Sequence, residues 1–185
     1  MSNIRTFFRR VFSPPLDAPS AVVLMRLVVG GIFLSEGILK FVYANQGVGR
    51  MAKLGFPFPV FTADFVGTLE IVGGLLFMLG LMTRAIAIPF VIEMIVAIVS
   101  TKIGLYFGTS PLAPPPVPPK VGFWAVMHES RADYGQLLTS LFLLVVGPGP
   151  WSLDAVLRRM RRPAREGSRG SERRVRSVDA ARSAS

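Results

Sequence analysis

Two pairs of residue types in this sequence have the chemistry and spacing to do more than fill a core. Glu36 and Lys40 are four residues apart, so on a helix they share one face, where they can form an ion pair or bracket a polar ligand. Glu70 stands one turn before Gly74, where a second helix can approach closely, and Glu93 follows Pro89 by one turn. Neither neighbour of Glu93 at four residues' distance is basic, since Pro89 and Ala97 hold those places. All four residues interrupt long apolar runs. An ionised side chain at the centre of a membrane helix is unfavourable by about 2.5 to 3.5 kcal/mol on insertion scales. Glu70 and Glu93 are therefore expected to face other helices and to be paired or protonated. Arg26, Lys40 and Lys102 lie nearer the helix ends and have long stems, which lets them snorkel toward the headgroups. A contact between Arg26 and Glu93 is compatible with the sequence. Arg26, Glu36, Lys40, Glu70 and Glu93 form the candidate polar cleft. A second cluster, His128, Arg131 and Asp133 with Glu129, precedes the last apolar run and is expected on the outer face.

Composition excludes much other chemistry. The chain of 185 residues contains no cysteine and one histidine. Thiol redox reactions, disulfides, thiolate metal sites and cysteine-ligated clusters are excluded, as is a bis-histidine haem within one chain. No metal or haem is expected in this chain alone, and the catalytic residues, if any, are not identifiable from sequence. An apolar slot with one or two polar groups suits a quinone. Three readings of the charged residues stay open: intramembrane glue, the lining of a quinone, lipid or substrate pocket, and a proton or ion route.

The elements that must position these residues are membrane helices. Mean hydropathy is +0.50, and the apolar residues gather in runs near the 20 or so that a bilayer core requires. The expected fold is all-α, a four-helix transmembrane bundle. Its helices cover about 21–42, 61–81, 84–106 and 132–146. A short interfacial helix fits the loop after the first of them. The very short Met82-Thr83-Arg84 connection makes the second and third an antiparallel pair. Pro89 should bend the third slightly without breaking it. The proline-rich stretch 110–120 cannot be helical and leads to Phe123 and Trp124 at the interface. The fourth run is short, about 24 Å from Ala132 at 1.5 Å per residue.

Four segments follow: a basic N-terminal segment (1–20), the membrane domain (21–150), an amphipathic interfacial helix (151–162) with Ser152 as its N-cap, and an arginine-rich tail (163–185) of disordered composition. Ten arginines lie between Arg158 and Arg182, which accounts for most of the net charge of +10. Beside a membrane helix such a block is a topology signal and an attraction for anionic headgroups. No nucleic-acid-binding motif surrounds it, so nucleic acid is not an expected partner. With an even number of spans, both termini and the Arg84 turn fall on the cytoplasmic side; Arg50 and Lys53 oppose this modestly.

The chain resembles the DoxX family of small bacterial integral membrane proteins. The resemblance rests on Arg26-Leu27-Val28-Val29-Gly30-Gly31-Ile32-Phe33 followed by Glu36-Gly37-Ile38-Leu39-Lys40-Phe41, on Gly55-Phe56-Pro57 leading into Glu70-Ile71-Val72-Gly73-Gly74, on Leu79-Gly80-Leu81-Met82-Thr83-Arg84, and on Arg131-Ala132-Asp133-Tyr134 and the ending Val146 to Asp154. It implies a four-helix protein of the bacterial cytoplasmic (inner) membrane. It also implies a redox association, because the family is named for a subunit of a thiosulfate:quinone oxidoreductase. The functional expectation is an accessory subunit of a redox or quinone-linked membrane system, with a redox protein or a second copy of the chain as partner. A small-solute or lipid transporter and a structural membrane anchor are the alternatives.

Overall fold

The computed structural model describes residues 18–160. Most of the basic N-terminal segment and the whole arginine-rich tail lie outside the described residues. Those described form seven helices and no strand: α1 (Val22–Val42), α2 (Val48–Lys53), α3 (Pro59–Leu79), α4 (Thr83–Phe107), α5 (Phe123–Glu129), α6 (Arg131–Val146) and α7 (Leu153–Met160). The helix boundaries follow local chemistry. Pro59 occupies the first turn of α3, where its missing N–H has no acceptor to lose. Gly80 and Gly108 end α3 and α4 in the left-handed region, with φ of 68° and 71°. Pro89 lies inside α4, which runs unbroken through it.

Three helices, α1, α3 and α4, are long and apolar enough to cross a membrane. Their outward residues, among them Leu24, Val28, Val72, Leu75, Ile92, Ile95 and Val99, are exposed, as a lipid solvent allows. The fourth expected span, α6, has 16 residues and falls short of that measure, at about 24 Å. The interfacial helix expected after α1 is present as α2. No sequence feature pointed to α5, which is joined to α6 through Ser130 alone.

α1 packs chiefly on α3 and α4 chiefly on α6, so the α3–α4 hairpin contributes less contact than its short turn suggests. The α1–α3 seam is made of glycines seven residues apart on each helix. Gly30 meets Gly74, and Gly37 meets Gly67: a Cβ at Gly74 would lie 2.6 Å from the Gly30 carbonyl oxygen, and one at Gly37 2.8 Å from that of Gly67. Small residues at this spacing let the two backbones approach. Between the helix pairs lies an aromatic layer of Phe33, Phe77 and Phe90, all with no exposed surface. Phe33 and Phe90 stack with centroids 3.8 Å apart and planes at 11°. Phe77 sits 5.2 Å from Phe90. Gly73 makes room for Phe90, whose ring a Cβ would meet at 2.6 Å.

Gly74→Leu should force the α1 and α3 backbones apart and lower stability in detergent or bicelles by more than the 1 to 3 kcal/mol or so of ordinary overpacking. Gly31→Leu is the control, since nothing lies within 4 Å of a Cβ there. Unfolding curves that shift equally for both would show that the seam does not depend on close approach.

Candidate functional site

One end of the bundle carries α2 and the other α7. Because α1, α3 and α4 alternate in direction, residues distant in sequence reach the same depth. In the half nearer α2 the helices enclose a cavity of about 230 Å³. On each helix that lines it, the lining residue farthest from α2 is polar: Glu36 on α1, Glu70 on α3, Glu93 on α4 and Gln136 on α6. These four make its floor. Nearer α2 it is lined by apolar groups such as Met51, Leu54, Val66 and Ala97, and by Gln46, Arg50, Thr62 and Asp133.

Lys40 and Glu70 form an ion pair, with Nζ 2.5 Å from Oε2 and side chains 12% and 3% exposed. The glycine seam that brings α1 against α3 makes this reach possible. The Glu93 carboxyl is a neighbour of the Glu70 carboxyl on the cavity floor. The Glu93 Oε2 atom is buried and has no hydrogen-bond partner among the described residues. Thr101 donates its hydroxyl to the Ala97 carbonyl at 2.6 Å, and Lys102 pairs with Asp133 at 3.1 Å across α4 and α6.

The structure brings Glu36, Lys40, Glu70 and Glu93 to one cavity, and it changes several of the expected partners. Lys40 pairs with Glu70 on the neighbouring helix and not with Glu36 on its own, because α3 lies closer to the buried side of α1 than the exposed Glu36 does. Arg26 belongs to no cleft with Glu93 and does not snorkel. It is 2% exposed at the α7 end. Its Nε donates to the Phe77 carbonyl at 3.1 Å, Nη2 to Met78 at 3.1 Å, and Nη1 to Pro148 at 2.6 Å and Trp151 at 2.8 Å. The last carbonyls of a helix have no intrahelical donor and carry the negative end of its dipole, so α3 receives the guanidinium without a carboxylate in contact. Gly80 is required beside it, since a Cβ would lie 2.7 Å from Arg26 Cζ.

The outer-face cluster is divided as well. Arg131 donates to the backbone carbonyl of His128, whereas Asp133 turns away to Lys102 and joins the cavity lining. Sequence reasoning left Asp133, Gln136 and Thr101 out of the cleft. The available signal was their register: Asp133 and Gln136 are three apart on α6, and Glu93, Ala97 and Thr101 repeat every four residues on α4. Ser152 is the N-cap of α7, accepting the Ala155 N–H at 3.2 Å, as expected.

Lys40→Met should destabilise the protein by about 3 to 5 kcal/mol by leaving Glu70 buried without its cation. Adding Glu70→Gln should restore most of that loss. Thermal unfolding of the single and double variants in one detergent measures the coupling, and strict additivity would exclude the pair as a stabilising unit. Arg26→Lys, which cannot serve four carbonyls, should lower stability by about 2 kcal/mol or more and leave ligand binding at the cavity unchanged in the folded fraction.

Comparison with known proteins agrees with this architecture. The DoxX family model matches residues 21–103, which include the glycine seam and three floor residues. A Mycobacterium tuberculosis protein named "Uncharacterized membrane protein Rv3486" is 45% identical, the match covering 75% of this chain and 82% of that one. "Putative oxidoreductase CatD" of Bacillus subtilis is 28% identical over 71% of this chain and 83% of its own. "Inner membrane protein YphA" of Escherichia coli is 28% identical over 78% and 96%. No solved structure matches significantly. With a relative this similar along most of both chains, and with the family's pattern over α1, α3 and most of α4, the protein is a membrane protein of the DoxX family.

Proposed function

We propose that the protein is an accessory subunit of a quinone-linked redox system and that its cavity receives a quinone ring. The observation that carries this reading is the orphaned Glu93 Oε2 atom on the floor of a cavity whose walls mix polar groups with the apolar Met51, Leu54, Val66, Met94 and Ala97. A quinone supplies an apolar ring with carbonyl oxygens, and its conversion to quinol takes up two electrons and two protons. The Glu70–Glu93 pair can hold one such proton next to the ring, and Lys40 offers a donor to a carbonyl oxygen. The electrons come from a partner redox protein, since this chain has neither cysteines nor a histidine pair to hold a redox centre. Val96 lies both on the cavity wall and on the exposed surface of α4, which suits a ligand entering from the lipid. The oxidoreductase name of the Bacillus relative supports the reading from outside this chain.

In the same account α6 completes the bundle as a fourth, short span in a bacterial inner membrane, and both termini are cytoplasmic. Arg84, Arg158 and Arg159 then lie on one side, where positive charge favours the cytoplasm. α7 lies along the headgroups, with the exposed Leu153, Val156, Leu157 and Met160 toward the acyl chains and its arginines at anionic lipid.

Titration of the purified protein with a short-chain quinone analogue should give saturable binding. Glu93→Ala should weaken it about tenfold, the equivalent of 1.4 kcal/mol. Absence of saturable binding, together with unchanged membrane redox activity on deletion, would remove the reading in favour of a transporter or a structural anchor.

A further inference from the structure

The floor of the cavity coincides with a sharp change in the character of the bundle. One to two turns below the polar ring, toward α7, lies the aromatic layer: Phe33 is three residues before Glu36, Phe90 three before Glu93, and Phe77 seven after Glu70. With Val29, Ala87 and Leu143 these rings fill the bundle, each residue at most 1% exposed. Among the described residues, the buried hydroxyls without a partner in this half are Ser140 on α6 and Thr83 at the start of α4, four residues beyond Gln136 and ten before Glu93, or about 6 and 15 Å below the polar ring. Two hydroxyls so far apart in depth do not hold a chain of waters, each of which needs two or more polar partners. Arg26, beyond the layer, is already engaged by four carbonyls. Toward α2 the character is opposite, since Gln46, Arg50, Thr62 and Asp133 line the cavity above the carboxyl pair.

We propose that the cavity is a well whose aqueous opening is at the α2 end alone, through which Glu70 and Glu93 exchange protons with the compartment on that side of the membrane. This deepens the quinone reading by giving its protons a fixed side of origin. It depends on the cavity of that reading but on no ligand, so each can fail without the other. In the topology proposed above, the well faces away from the cytoplasm. Chemistry at the carboxyl pair that takes up or releases protons is then coupled to that compartment only, whatever side the electrons arrive from.

The absence of cysteine provides a clean background for the test. In sealed vesicles of known orientation, single cysteines are introduced at Ser100 and, separately, at Gln136, both on the cavity lining. Lys53→Cys and Met160→Cys, at exposed positions near the two ends, serve as sided references. A charged, membrane-impermeant thiol reagent should label Ser100→Cys and Gln136→Cys from the Lys53 side, and no more than background from the Met160 side. The unaltered protein, treated with a water-soluble carbodiimide and an impermeant amine, should be modified at Glu70 or Glu93 with the same sidedness, which removes any dependence on a variant folding. Modification from the Met160 side would overturn the one-sided well. Failure of both reagents from either side would overturn its aqueous character and leave a cavity reached from lipid.

Discussion

The contact of α1 with α3 sets the distances on which the rest of the molecule depends. Two glycines on each helix, seven apart, bring the backbones so close that a Cβ at Gly30, Gly37 or Gly74 would meet a carbonyl oxygen of the other helix. Only at that separation does Lys40, from one helix, reach the Glu70 carboxylate on the other. The same approach narrows the space in which Phe33 and Phe77 meet Phe90. In lipid, where apolar surface gains nothing by leaving its solvent, such close packing and the pairing of polar groups are what hold helices together. The seam therefore provides adhesion and also fixes the position of the charged residues.

The bundle handles its buried charge in two different ways. At the α7 end a guanidinium is neutralised by backbone carbonyls that a helix terminus leaves free, and the result is a closed joint between α1, α3 and the segment before α7. Asp154 reinforces that joint by accepting the Met82 N–H at 3.2 Å and donating its own N–H to the Gly80 carbonyl. In the half nearer α2 the charges are neutralised by each other, across helices, beside an open volume. The first arrangement engages all three nitrogens of the buried group, whereas the second leaves an acceptor free. The proposed chemistry belongs to the second, and the aromatic layer lies between the two.

Much of this was legible in the sequence, for reasons that differ by feature. α1, α3 and α4 announce themselves because a bilayer demands long apolar runs. Glu70 and Glu93 stand out because an acidic side chain at such depth requires a partner. What sequence could not supply was the partner's identity. A helix periodicity relates residues on one helix, so it offered Glu36 to Lys40, while the structure pairs Lys40 with a residue 30 positions away. Arg26 was read as an end residue able to reach water, since nothing in its own neighbourhood reveals carbonyls contributed by Phe77, Met78, Pro148 and Trp151. Asp133 seemed to belong with Arg131 by proximity in the chain, and its link to Lys102 is visible only once α6 lies on α4. The spacing of Phe33 with Glu36 and of Phe90 with Glu93 was present throughout, but its meaning as a dry layer beneath a polar one needs the two helix pairs in register.

The central claim is that the volume above the carboxyl pair is where a quinone ring sits. Photoaffinity labelling with an azido-quinone, followed by mass spectrometry of the peptides, tests it most directly. Adducts concentrated on the cavity-facing residues of α4 from Met94 to Thr101, or on Met51 to Phe56, and displaced by excess unlabelled quinone, are the predicted result. Labelling confined to lipid-facing residues such as Leu24 and Val28, with no displacement by excess quinone, would contradict it.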